Sequence, residues 1–450
     1  MPSRYLRFRF APFLLMLLMI PAMGRAQSGP QLTGSVSPAA QSASRFRCTL
    51  GKAYCLPPEK AAKAATLGRI RTVIEFGSQF WGLAVLVLLL ATGATARMAQ
   101  RIQHTISRSW LQGLVFSFFL VSIIFLAAQL PVMAIAHAGS LHFGISVQGW
   151  GSWLLDQVKD WGLMIALEVP LLTLVYGLMN WSWSRKLPWF WFSIFAIPLM
   201  ILGVFLLPAL VEPLFDKFEP LTESHPALVT ELERVVARTG TRIPPQRMFL
   251  MKASEKSNGL NAYVTGIGAS KRIVVWDTTA DRMPQDEVLF TFAHESGHYV
   301  LNHIPKGLTI ASIGMFPFFF LVSWLARFLA SRFGSAWRVS NVTSLPGLVV
   351  LLAAFAILQI VTEPAMNTIS RHFEHEADVY GQEAIHGIVA DPQKTAVNAF
   401  SDLGEAYLDD PDPNPFVEFW TYDHPSIQTR ATFAAHYDPW ASEDGPAFFK

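Results

Sequence analysis

Phe290-Thr-Phe-Ala-His-Glu-Ser-Gly-His-Tyr-Val300 contains an H-E-x-x-H pattern made by His294, Glu295 and His298. On a helix, positions i and i+4 share a face, so the two imidazoles can meet one zinc ion while the intervening Glu295 reaches its water. The pattern specifies metal-assisted hydrolysis of a peptide bond. With 12 His in 450 residues, it arises by accident about once per hundred such chains, so its surroundings must carry the rest.

Those surroundings are a membrane protein's. Hydrophobic residues make up 52% of the chain and charged residues 15%, and the apolar ones gather into long runs. A run of about 20 apolar residues spans the hydrocarbon of a bilayer. Six such runs lie at roughly 77–96, 110–136, 161–183, 187–211, 307–329 and 345–367. Ahead of them, Arg4, Arg7 and Arg9 precede the apolar stretch Ala11–Met23, and Gly24-Arg25-Ala26 resembles a small-residue cleavage site. Residues 1–26 therefore read as a signal peptide or as a first transmembrane helix. The polar segment 27–76 holds the only two cysteines, Cys48 and Cys55; exported, they would close a small disulfide loop, and in a reducing compartment they would stay thiols. A net charge of +2 argues against a nucleic-acid role.

The chain then divides into a four-helix transmembrane region at 77–211, a catalytic part with the H-E-x-x-H at 212–306, a transmembrane hairpin at 307–367 and a second catalytic part at 368–450. Hydrolytic zinc sites take three protein ligands and leave a position for water. The third should come from Ser370-Arg-His-Phe-Glu-His-Glu-Ala-Asp-Val-Tyr380, a helix carrying Glu374 and Asp378 on one face. Glu374 is the expected ligand and Asp378 the acceptor that fixes a ligating imidazole; His372, His375 and Glu376 stay open on spacing alone. Upstream, Asn261-Ala-Tyr-Val-Thr-Gly-Ile-Gly268 and Lys271-Arg-Ile-Val-Val-Trp-Asp277 read as a hairpin whose edge an extended peptide could join as a strand.

Five motifs in this order resemble the type I CAAX prenyl endopeptidases, integral-membrane zinc proteases that cut after a prenylated cysteine. They are Glu212-Pro-Leu-Phe-Asp-Lys-Phe-Glu-Pro-Leu221, Asn261-Ala-Tyr with Lys271-Arg-Ile-Val-Val-Trp-Asp-Thr, the H-E-x-x-H, Phe373-Glu-His-Glu-Ala-Asp378 and His424-Pro-Ser-Ile-Gln-Thr-Arg430. The resemblance covers most of the chain beyond about residue 77. It implies a mainly α, polytopic fold of six or seven transmembrane helices around a water-filled chamber, with a zincin-like catalytic domain bearing a small sheet. It further implies one zinc ion on His294, His298 and Glu374, Glu295 as general base and acid, Asn261 and Ala262 on the substrate-binding strand, and His424 and Arg430 near the scissile carbonyl. The implied partners are a peptide or protein substrate, prenylated in the family's case, and membrane lipid.

The chain departs from eukaryotic members in a short Asp277–Asp286 loop, a signal-like N-terminus and His142-Phe-Gly in place of an acid-rich loop. These departures favour a bacterial cell-membrane protein and keep open a quality-control protease without a prenyl requirement. A transporter would explain the spans but not the H-E-x-x-H, and a non-catalytic scaffold would not need Glu295. Basic residues Arg97, Arg101 and Arg108, then Arg185 and Lys186, then Arg327, Arg332 and Arg338 mark alternate short loops. The positive-inside rule puts those loops in the cytoplasm and both catalytic parts on the exported side, whereas the resemblance implies a zinc site on the cytoplasmic side and the basic 27–75 segment would then be exported too. Glu168, inside a span, is expected to line the chamber. Trp150, Trp153, Trp181, Trp183, Trp189 and Trp191 read as interfacial anchors.

Overall fold

The computed structural model describes residues 27–28, 48, 52–181, 187–266, 268–443 and 445–449; the stretch 1–26 read as a signal or first span lies outside them, as do Trp183, Arg185 and Lys186. Six of its helices are long and apolar enough to cross a membrane. Helix α1 (Pro58–Ala91) is followed by the short α2 (Ala94–Thr105) and by α3 (Ser109–His142), α4 (Trp150–Asn180) and α5 (Pro188–Phe215). Two more, His303–Trp337 and Leu345–Ala384, form the later hairpin.

The helices run past the apolar stretches that reveal them. Helix α1 starts at Pro58, well before the run at 77, and ends at Ala91 because Gly93 takes a left-handed conformation, φ 68°. Helix α4 likewise begins at Trp150, ahead of the run at 161. Composition marks only the portion that crosses hydrocarbon, whereas backbone hydrogen bonding carries the helix on into water. Phe80, Trp81, Leu88, Leu126, Ile201 and Trp324 stay exposed around the bundle. Such a belt of large apolar side chains suits contact with lipid.

After α5 the chain builds the soluble part: β1 (Phe218–Pro220), α6 (Pro226–Thr239), β2 (Met248–Met251), β3 (Ala262–Thr265) and β4 (Arg272–Trp276). The sheet order is β1-β2-β4-β3, with β2 and β4 parallel and the other pairs antiparallel. The hairpin expected from sequence is β3–β4, in register Ala262 opposite Val275 and Thr265 opposite Arg272. Strand β3 is left at the sheet's edge. Glu212, near the end of α5, accepts from Arg272 at 2.7 Å and from the Tyr263 hydroxyl at 3.3 Å, which ties the bundle to this sheet. Burial raises the Glu212 pKa, and Arg272 opposes the rise.

Helix α7 (Gln285–Val300) carries the H-E-x-x-H and leads into α8 (His303–Trp337), then α9 (Leu345–Ala384). The chain closes with α10 (Pro392–Ala406), α11 (Pro415–Thr421) and α12 (Ile427–His436). Helix α9 is the axis of the molecule. Its membrane portion is the most enclosed of the six, and its last turns pass through the soluble core, where Tyr380 and Ala384 pack with Val288, Leu289 and Phe292 of α7. Two glycines set the spacing of α7 and α9. A Cβ on Gly297 would lie 3.0 Å from Tyr380, and one on Gly381 would lie 2.9 Å from the His294 backbone nitrogen. Beyond α9, the buried Glu383 carboxylate accepts from the backbone N–H groups of Ala447, Phe448 and Phe449, anchoring the C-terminal tail.

Cys48 and Cys55 form a disulfide, with Cα atoms 5.5 Å apart. Its loop docks on the C-terminal part: the Tyr54 hydroxyl donates to the Asp409 carbonyl and the Tyr54 N–H to Gln428, each at 3.0 Å.

A methyl group at position 381 must push α7 off α9, an overpacking cost of about 1–3 kcal/mol. Gly381→Ala should therefore lower the thermal midpoint of the detergent-solubilised protein. Gly314→Ala, whose Cβ meets nothing within 4 Å, should not lower it, since alanine is the better helix former. Equal midpoints for the two variants would contradict this packing account.

Candidate metal centre and active site

Helix α7 presents His294 and His298 on one face, and the extramembrane end of α9 brings Glu374 against them. The Nε2 atoms of the two imidazoles are 3.2 Å apart. Glu374 places Oε2 3.3 Å from His294 Nε2 and Oε1 3.4 Å from His298 Nε2. Among the described residues, these three form the group of His, Cys, Asp or Glu side chains close enough to hold a metal ion. The spacing suits zinc: tetrahedral ligands with bonds of ~2.0–2.1 Å sit about 3.3 Å apart. Glu374 Oε2 is buried without a hydrogen-bond partner among the described residues, an atom for which a cation would compensate.

The groups behind the cluster aim the imidazoles. His294 Nδ1 lies 2.9 Å from Asp378 Oδ1. With Nδ1–H donating there, the Nε2 lone pair of His294 is directed at the cluster. Asp378 is gripped by the Arg430 fork, through Nε at 2.8 Å and a second, shorter contact from Nη2. Arg430 is only 2% exposed and stacks on Phe400.

His298 has a partner that the sequence did not reveal. His303 Nδ1 lies 3.0 Å from His298 Nδ1, and His303 Nε2 lies 3.0 Å from the Glu376 carboxylate. His303 is also stacked on Phe373, with ring centroids 4.6 Å apart. A consistent proton assignment has His303 donating to Glu376 and accepting from His298 Nδ1–H, which again frees an Nε2 lone pair for the cluster. Helical periodicity from the H-E-x-x-H does not point to position 303, because α7 ends at Val300 and Asn302 takes φ 57° before α8 starts. That reversal folds His303 back over His298.

Electrostatics distinguishes the two candidate ligands. Burial opposes protonation of His294, but the Asp378 and Glu374 carboxylates beside it outweigh that and carry this group up to about 9. At His298 burial prevails over the Glu374 charge and pushes it down to about 3. Burial also opposes protonation of His424, yet the Glu374 and Asp423 charges raise it. The pocket therefore holds positive charge at a carboxylate-rich centre, and a bound cation would take the place of the proton on His294.

His424 enters from the loop before α12, with Nε2 3.2 Å from Glu374 Oε1 and Nδ1 2.9 Å from Asp423. Glu295, half-buried, has no hydrogen bond holding its carboxylate among the described residues. The residues left open by spacing fall outside the cluster: His372 is exposed, His375 packs on Phe433, and Glu376 serves His303. Asn261 and Ala262 sit at the start of the edge strand β3 beside α7. The Asn261 backbone is tied to the Thr279 hydroxyl and the Trp276 N–H, and the Tyr299 hydroxyl of α7 donates to the Gly266 carbonyl at 2.9 Å. Glu168 is buried in α4.

Two histidines on one helix joined by a carboxylate from another, set against a bundle of membrane helices, define an integral-membrane metalloprotease. The chain belongs to peptidase family M48. The model for that family matches residues 223–438, and the model described as CAAX prenyl protease N-terminal, five membrane helices, matches residues 52–217. An uncharacterized metalloprotease of Bacillus subtilis (strain 168), YhfN, is 30% identical over 383 residues, which cover 84% of this chain and 86% of the relative. CAAX prenyl protease 1 of Saccharomyces cerevisiae is 27% identical over 294 residues, 62% of either protein. The crystal structure of S. mikatae Ste24p shares the fold, with a TM-score of 0.70 at 23% identity, covering 94% of this chain and 96% of that one.

Removing a group that orients a metal-bound imidazole typically lowers metal affinity about 10–100-fold. His303→Ala should do so in competition titrations against a zinc chelator, whereas His375→Ala should bind zinc like the unaltered protein. Identical affinities in all three would remove His303 from the site.

Proposed function

We propose that this protein is a zinc endopeptidase that cuts extended peptide segments held at the membrane surface. His294, His298 and Glu374 are the metal ligands and Glu295 is the general base and acid. The observation that carries this reading is the buried His294–His298–Glu374 cluster, with its ligand atoms 3.2–3.4 Å apart and one carboxylate oxygen otherwise unpaired. A zinc ion bound there supplies Lewis-acid polarisation of the scissile carbonyl and a water of lowered pKa.

The chain's own residues do the remaining work. Glu295 takes the proton of the attacking water and delivers it to the leaving amine, which needs an unencumbered carboxylate such as this one has. To His424, whose Nδ1 faces Asp423 and whose Nε2 lies beside Glu374, falls the role of donating from Nε2–H to the developing oxyanion once Glu374 is engaged by the metal, a role commonly worth about 10²–10³-fold in rate. Arg430, expected from the resemblance near the same carbonyl, is read differently here. Its fork is committed to Asp378 behind His294, so it acts by positioning that imidazole. Asn261 and Ala262 begin the strand that an incoming peptide would join, because β3 has no neighbouring strand on its outer side among the described residues and lies against the helix bearing Glu295.

Placement supports an anchored substrate. The cluster stands where α9 leaves the membrane portion and next to the start of α8, so a scissile bond near a lipid or apolar anchor can reach it while the anchor stays in the bilayer. The name of the yeast relative, CAAX prenyl protease, points to an anchor of that kind. The Bacillus relative supports a bacterial cell membrane as the location.

Glu295→Gln should retain one zinc per chain and lose at least about 10²-fold in hydrolysis of a lipid-bearing peptide, measured in detergent with the unaltered protein and a chelator-treated sample as references. Undiminished turnover would refute the role of Glu295. The same assay on matched lipidated and plain peptides should give the lower KM for the lipidated one; equal values would remove the anchor from the reading.

A further inference from the structure

The six spans give the molecule two ends of very different charge. At one end lie the connections 92–108 and 338–344 together with Trp181 and Leu187, brought together by the Asn180 amide donating to the Thr343 carbonyl at 3.1 Å and by the Arg338 side chain lying against Gly93. This end holds Arg97, Arg101, Arg108 and Arg338, with Arg327 and Arg332 on the last turns of α8; Arg185 and Lys186 fall in sequence between Trp181 and Leu187, outside the described residues. Across 92–109, 181–187 and 325–344 there is no acid; all 33 Asp and Glu lie elsewhere. Short basic loops with this bias are retained in the cytoplasm.

The opposite end carries the candidate metal centre, and the disulfide lies with it. Tyr54, beside Cys55, bonds to Gln428 on α12, the helix that also bears Arg430. Cations of the adjoining segment are matched by acids of the same end: Lys52 by Asp412, Lys60 by Glu405, Lys63 by Glu59 and Arg71 by Asp409. These pairs fold the segment onto the C-terminal part, and the disulfide is the observation that decides between the two basic ends. A disulfide persists in an oxidising compartment and is reduced in the cytoplasm. Charge at one end and redox chemistry at the other are independent, and they agree.

We propose that the catalytic face opens on the exported, oxidising side of the cell membrane, so that its substrates are peptide segments already translocated across it. The choice of substrate rests on the proteolytic reading above; the orientation does not. Ser442→Cys at the catalytic end and Ser107→Cys at the basic end should be compared in full-length protein in spheroplasts, using a membrane-impermeant maleimide. The native Cys48–Cys55 pair is kept in one set and replaced by Ser in another, so that one set stays informative if the other misfolds. Ser442→Cys should label before lysis and Ser107→Cys only after it. Any other pattern overturns the proposal, as does recovery of Cys48 and Cys55 as free thiols from acid-quenched cells. Detergent-solubilised protein has no sides, so failure of chelator-sensitive cleavage there would fault the proteolytic reading and leave the labelling result standing.

Discussion

The meeting of Glu374 with His294 and His298 is the contact on which the arrangement depends, and it joins parts of the chain that a pair of membrane spans separates. Helix α9 makes this possible by being a single helix from Leu345 to Ala384 that is both a membrane span and the arm holding the carboxylate. Glu374 is therefore positioned by the bundle and the histidines by the soluble core. Gly297 and Gly381 let the two helices close to the distance at which three ligand atoms can share one ion. Tyr299 then ties the same helix to the hairpin turn at Gly266, which holds the edge strand against the helix that bears Glu295.

The site buries much charge, and burial alone would make it costly. Asp378, Glu374, Arg430 and His294 are all among the least exposed groups of the chain. Breaking one partner from such a set costs about 3–5 kcal/mol because it strands the other. The network is thus a source of geometry more than of stability: Arg430 orders Asp378, Asp378 orders His294, and Glu376 orders His298 through His303. Each imidazole is held from behind by a carboxylate, directly or through one intermediary, with its free nitrogen facing the cluster.

Much of this was legible in the sequence, for identifiable reasons. Histidines at i and i+4 share a helix face whatever the fold, and twenty apolar residues imply a span before any packing is known. The β3–β4 hairpin showed itself through β-branched and aromatic residues around Gly266 and Gly268. Spacing alone could not choose among Glu374, His372, His375 and Glu376, since the choice is made by how α9 is rotated against α7. His303 was invisible because a left-handed residue, Asn302, breaks the period that would have pointed to it. The role of Arg430 was hidden for a related reason, since its partner Asp378 becomes its neighbour only when α12 packs on α9. Helix ends were not legible, because apolar composition marks the bilayer and not the helix.

Zinc-edge X-ray absorption on pure, folded protein, with metal content measured on the same sample, tests the central claim most directly. The expected result is one zinc per chain bound by two imidazole nitrogens at ~2.0–2.1 Å and by oxygen from a carboxylate and water, with no sulfur. Folded protein without stoichiometric zinc, or a zinc shell lacking the two imidazoles, would contradict it.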